Sequence, residues 1–142
     1  MNRSRLADVL RVRRLQERGA RGALARTNLA QRMAEEREAL LWVELESHGA
    51  RLGASGDLSS LAVARSAGLL MAERRHQETL DAIGAARIAR AEWSAAARRV
   101  QGLERLDERL GEIEAFEADR ADRNEVDDLV LARRAIARAE ES

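Results

Sequence analysis

The sequence predicts an all-α protein built as a long antiparallel two-helix coiled-coil hairpin, rod-shaped as a whole. Three observations predict it. The 142 residues are 35% charged and 45% hydrophobic, much of the latter alanine, with three aromatic residues (Trp42, Trp93 and Phe116) and no proline. Chains rich in Ala, Glu, Leu and Arg read as long helices or coiled coils, and the lack of proline removes a common turn marker. Helix signals then cover nearly the whole chain, with one glycine-rich interruption. Finally, charge is distributed in blocks of alternating sign.

Helix 1 is expected over about residues 4–47. Its frame of threes and fours runs Val12, Leu15, Gly19, Gly22, Arg26, Leu29, Met33, Glu36, Leu40 and Val43, the spacing of a coiled-coil seam. The middle of that seam is thin, because each of Gly19 and Gly22 costs about 1 kcal/mol of helix propensity against alanine. The stretch "SHGARLGASGDLSS" follows, and its Gly49, Gly53 and Gly56 predict a connection over 48–57. Asp57 has the chemistry of an N-cap for the next helix. Helix 2 is expected over about 58–139, with a weak point at "SAGLL", residues 66–70. At 1.5 Å per residue the two helices would measure about 65 and 120 Å, too long for a compact globule and hence the rod.

The helix 2 seam is read as Leu69, Ala72, His76, Thr79, Ile83, Ala86, Arg90, Trp93, Ala97 and Val100. A three-residue slip then shifts it to Leu103, Leu106, Leu110 and Ile113, which locally changes the supercoil. Charge sets the direction of pairing. Residues 1–26 carry net +6, 31–48 net −3, 65–99 net +3 and 104–128 net −7. A chain folded back at 48–57 sets +6 beside −7 and −3 beside +3, whereas a parallel homodimer would align like blocks. Single exposed pairs contribute only a few tenths of a kcal/mol, but many in series choose orientation. The apolar end residues Val126, Leu129, Val130, Leu131 and Ile136 offer more apolar surface than one thin helix can cover. Val126, Leu129 and Val130 would close the coil against Leu6, Val9 and Leu10, or this end docks into a partner, and both can hold at once.

Composition argues against several functions. There is no cysteine, and the two histidines are His48 and His76, so thiol chemistry and cysteine metal sites are excluded. Glu73-x-x-His76 has the spacing used in di-iron bundles, but that site needs a second copy and further glutamates, and the sequence has no second copy. Adjacent carboxylates such as Asp127 and Asp128 point to different helix faces, which is wrong for paired acid–base work. With no phosphate-binding glycine loop, no enzyme, cofactor or metal is expected. All 25 basic residues are arginine, most simply a codon bias. The basic start lacks aromatic stacking residues and has an acidic partner within the chain, so nucleic acid is not the expected ligand. The start also lacks the apolar run of a secretory signal, and no stretch approaches the ~20 apolar residues of a membrane span.

Two segments resemble a known family. "RSRLADVLRVRRLQERGARGALARTNLAQ" is similar to the N-terminal helix of the FliJ family, the stalk proteins of the flagellar type III export apparatus, with Leu6, Val9, Leu10, Val12, Arg13 and Glu17 in the matching places. "LERLDERLGEIEAFEADRADRNEVDDLVLARR" looks like the family's second signature, through Glu104, Arg105, Leu106, Glu108 and Arg109 and then Val126, Asp127, Asp128, Leu129 and Arg133. The match covers about the outer two-thirds of the chain. Residues 48–95 share only helicity and composition.

The resemblance implies an antiparallel coiled coil similar to the shaft of rotary ATP synthases. Its paired terminal end would enter the pore of the hexameric flagellar export ATPase and promote assembly and ATP turnover. The looped end would reach the membrane export gate protein, and export chaperones are further implied partners. It places the protein in the cytoplasm, peripheral to the membrane only through those partners. Leu6, Leu10, Arg13, Asp127, Asp128, Leu129 and Arg133 are the expected ATPase-ring contacts, and Leu69, Leu70 and Met71 the expected gate contact. The other reading of the same residues is a structural coiled-coil adaptor or spacer unrelated to export, to which a stable self-associated four-helix oligomer would point.

Overall fold

The computed structural model describes residues 3–141, apart from the side chains of Leu52 and Ser55. It consists of two long helices packed as a hairpin, α1 (Arg3–Ser55) and α2 (Leu58–Glu140), with no strand among the described residues. The chain divides into two units. In the first, the described residues are 3–13 and 99–141; the second is Arg14–Arg98.

The turn lies in the second unit and is far shorter than the ten-residue connection expected. α1 runs through Gly49 and Gly53 and stops only at Ser55. Glycine lowers helix propensity by about 1 kcal/mol, which a long cooperative helix tolerates. The stop requires a residue that adopts a left-handed backbone, and Gly56 supplies it with φ +73°, the usual device past a helix end. Asp57 then caps α2 as expected. Its Oδ1 accepts from the Ser60 backbone N–H at 3.2 Å and from the Ser59 hydroxyl at 3.0 Å, and its Oδ2 accepts from the Ser60 hydroxyl at 2.6 Å. Hydrogen bonding from Ser60, first through the hydroxyl and then through the N–H, holds the Asp57 carboxyl below its ordinary value. The weak point at "SAGLL" is continuous helix.

Within Arg14–Arg98 the helices run antiparallel: as α1 passes Glu17, Glu38 and Leu45, its neighbours on α2 are Trp93, His76 and Gly68. The covered stripe of α1 is Glu17, Ala20, Leu24, Thr27, Gln31, Ala34, Glu38, Leu41 and Leu45, all buried or half-buried at strict four–three spacing. This corrects the expected frame. Leu15, Leu29, Met33, Leu40 and Val43 are all exposed.

On α2 half of the expected frame holds. Ala72, Thr79 and Ala86 are buried and Trp93 is half-buried, but the alternating positions are Gly68, Arg75, Ala82, Ala89 and Ala96, one residue before Leu69, His76, Ile83, Arg90 and Ala97. Small residues win because they let α1 approach closely. At Gly68 a Cβ would stand 2.6 Å from Leu45 Cδ2, so Leu45 fills the space that a side chain would take.

In the other unit Leu6 is fully buried, and Leu10 and Val100 are buried; Arg13, Leu103, Asp107 and Leu110 are half-buried. The positions at 100, 103, 107 and 110 continue the four–three spacing, so the expected slip toward Leu106 and Ile113 does not occur: both remain exposed. The expected closure of Val126, Leu129 and Val130 on Leu6, Val9 and Leu10 is absent too. Arg3 instead bonds to Asp107 (Nε–Oδ1, 3.1 Å) and Glu114 (NH1–Oε2, 3.0 Å). Every side chain from 112 to 141 is exposed. The physical reason is register: Arg3, at the start of α1, already lies beside Asp107 and Glu114, and α2 continues well past them to Glu140. No described helix is long and apolar enough to cross a membrane.

Candidate docking surfaces

The seam of the second unit contains polar residues that hold one another. Trp93 donates its indole N–H to Glu17 Oε1 at 2.7 Å, and Arg21, one turn along α1, donates to the same oxygen at 2.8 Å. The Glu17 side chain is only 13% exposed, and the two donors satisfy its Oε1. Hydrogen bonding to Trp93, with Arg21 adding charge, holds the Glu17 carboxyl below its ordinary value against the opposing effect of burial. Nearer the turn, Glu38 lies against Thr79 and His76, with His76 Nδ1 at 2.9 Å from Glu38 Oε1. Bonding to the Thr79 hydroxyl and then to His76 lowers the Glu38 carboxyl as well. The Thr79 proton has a second acceptor in the Arg75 carbonyl at 3.0 Å. Among the described residues no three potential ligand side chains gather to hold a metal.

Among the described residues, three uncovered surfaces matter here. One is the C-terminal part of α2, where Val126, Leu129, Val130, Leu131 and Ile136 are exposed among acidic residues. The second is the outer face of α1 with Leu15, Leu29, Met33 and Leu40. The third is an open cleft of about 480 Å³ beside the turn, lined by residues that include Trp42, Leu45, His48, Leu61, Arg65 and Leu69.

The expected contact residues divide between these places. Asp127, Asp128, Leu129 and Arg133 are all exposed on the uncovered part of α2. Leu6 and Leu10 are buried in the seam and Arg13 is half-buried, so these three do not share a surface with the acidic group. Leu69, Leu70 and Met71 are exposed, and Leu69 lines the cleft with Trp42. The bond between Glu17 and Trp93 went unread in the sequence. The signal for it was the heptad spacing of Leu6, Leu10, Arg13 and Glu17, which puts Glu17 on the face that the leucines bury.

The chain has no significant match among family models, curated proteins or solved structures.

Proposed function

We propose that this chain is the central stalk and regulatory component of a flagellar, type III protein export apparatus. In this reading it inserts into the export ATPase hexamer, stimulates it, and links it to the membrane export gate. It works in the cytoplasm at the inner face of the membrane, held there by its partners, and also meets export chaperones. The observation that carries the reading is the uncovered end of α2. The later part of the segment that resembles the family's second signature, residues 112–134 with Asp127, Asp128, Leu129 and Arg133, is a helix whose charged and apolar side chains are all exposed. A helix that leaves apolar residues uncovered in the free protein has surface to offer a partner. A charged shaft inside a ring of subunits can favour one subunit conformation over another, since a partner shifts an equilibrium by its differential affinity. Leu6 and Leu10 then serve from inside the seam, fixing α1 on α2, while ring contact falls to the residues beyond 112. Leu69, Leu70 and Met71 remain the proposed gate contact, beside the turn.

The test is ATP hydrolysis by the export ATPase of the same organism with and without the protein. Stimulation that disappears with Leu129→Asp supports the reading. Neither stimulation nor co-elution with the ATPase overturns it. The adaptor reading gains from one observation, the exposed apolar stripe on α1, which a ring-entering shaft does not require.

A further inference from the structure

We propose that two copies of this chain pair reversibly through the outer face of α1, antiparallel, about a two-fold axis between Thr27 and Asn28. Within Arg14–Arg98, α1 carries two stripes of coiled-coil spacing, and it turns the more polar one inward. The covered stripe includes Glu17, Gln31 and Glu38, while Leu15, Leu29, Met33 and Leu40 stay about half-exposed or more. A helix normally buries its more apolar face, and large apolar side chains left outside along one stripe mark a candidate interaction surface.

Spacing and charge identify the occupant as a second copy. The outer stripe runs Leu15, Gly19, Gly22, Arg26, Leu29, Met33, Glu36, Leu40, so its steps of four and three read the same in both directions. A self-complementary patch of that kind suits an isologous two-fold contact. Antiparallel pairing sets Leu15 against Leu40 of the other copy, Gly22 against Met33 and Gly19 against Glu36, so that each glycine notch receives a large side chain. A Cβ at Gly19 would meet nothing within 4 Å, and at Gly22 its only near neighbour would be the Arg26 guanidinium at 3.5 Å. Arg26 can keep its stem on the apolar stripe and its head in water. Charge agrees. Residues 14–26 hold four arginines against Glu17, net +3, and in this register they face 29–41, which hold three glutamates against Arg32 and Arg37, net −1. Antiparallel pairing therefore lays opposite charge together at both ends, whereas parallel pairing stacks +3 on +3.

The stripe is interrupted by two glycines, an arginine and a glutamate, so the pair exchanges with monomer and does not lock into a permanent four-helix bundle. It uses no residue of 112–140. The inference therefore stands apart from the export reading, and its test uses this protein alone.

Sedimentation over a range of protein concentrations is expected to show a monomer–dimer equilibrium that shifts toward monomer as salt rises, because screening removes the charge match. Leu40→Asp is expected to weaken the dissociation constant by about tenfold or more, with helicity unchanged because the residue is exposed. Ile88→Asp, an equally exposed site on α2, should leave the equilibrium as it is. Direction is read by disulfides, since the chain has no cysteine of its own. Residues 15 and 40 lie about 38 Å apart along one helix, too far for a bond within a chain. Oxidised Leu15→Cys/Leu40→Cys protein should give a covalent dimer, and Leu40→Cys alone none. A monomer at every concentration overturns the proposal, as does cross-linking of Leu40→Cys alone.

Discussion

The Trp93 indole N–H donates to the Glu17 carboxylate at 2.7 Å, joining α2 to α1 at a position where a coiled coil normally places two apolar side chains. The pair favours one alignment. Sliding the helices by a heptad would leave Glu17 with Arg21 but without its indole donor, and loss of a donor to a poorly exposed carboxylate is costly. On the α2 side that seam is mostly alanine and glycine, which pack about equally well in several registers, so a directional bond helps to distinguish one register from another.

Acid should therefore loosen the hairpin. The Glu17 and Glu38 carboxyls lie below their ordinary value of 4.5 in the native state. A carboxyl with a lowered native value stabilises the fold above its unfolded value, and that stability is lost as pH falls through the native value. Melting temperature should be flat above about pH 5 with respect to these groups and decline below the 4.5 reference. Glu17→Gln keeps an acceptor for Trp93 but removes the titration. It should lower stability at neutral pH and flatten the acid limb. Tryptophan emission followed through an acid titration checks both, and an unchanged acid limb in the variant would remove Glu17 from the account.

Leu6 and Leu129 should behave oppositely when truncated, although the sequence motifs place them in one group. Leu6 is fully buried and Leu129 is 61% exposed. Leu6→Ala removes buried methyl groups and leaves a cavity, a loss of about 2–5 kcal/mol. Leu129→Ala should stay within about 0.5 kcal/mol. Chemical denaturation gives both values, and amide exchange should show the Leu6 variant opening first over residues 3–13 and 99–110.

The fold was legible because it rests on signals summed over many residues. Helicity follows from composition and the N-cap at Asp57 from one capping side chain. The antiparallel sense is the one that blocks of charge predict, but the blocks do not meet as expected: Arg3 meets Asp107 and Glu114, Glu17 already faces Trp93, and the acidic residues beyond 112 are exposed. The seams were harder to read. Bulk suggested Leu15, Leu29 and Leu40 on α1 and Leu69 and Ile83 on α2, whereas contact is made where Gly68, Ala82 and Ala89 let the backbones close in. Both frames have coiled-coil spacing, so periodicity alone does not choose between them. The length of α1 was misjudged for a related reason. Gly49 and Gly53 look like stops, yet the left-handed backbone that ends the helix occurs only at Gly56. Of the candidate surface, the exposed group at Asp127–Arg133 was legible, and the burial of Leu6 and Leu10 away from it was not.

The glycines offer a test of that distinction. A Cβ added at Gly84 or Gly102 would meet nothing within 4 Å, so alanine there should raise stability by about 0.5–1 kcal/mol each through helix propensity. Gly56→Ala forces a Cβ onto a left-handed backbone and should cost about 1 kcal/mol or more. Gly68→Ala gains propensity but displaces Leu45, so its net effect should fall below that of Gly84→Ala. Thermal melts by circular dichroism rank the four variants, and a stabilising Gly56→Ala would contradict the turn.

Residues 112–140 should be separable from the packing of the rest. Every side chain there is exposed, and the Arg3 ion pair to Glu114 links it to α1. That pair is itself half-exposed, and its Asp107 branch remains after truncation. A helix without tertiary cover has only its local propensity and i,i+4 pairs to hold it. Amide protection over 115–140 should accordingly be low in the free protein. A chain ending at Gly111 should lose helical signal in proportion to the residues removed, yet keep the melting midpoint of the seam within a few degrees. A large drop in that midpoint would mean that the acidic segment lies against the seam after all.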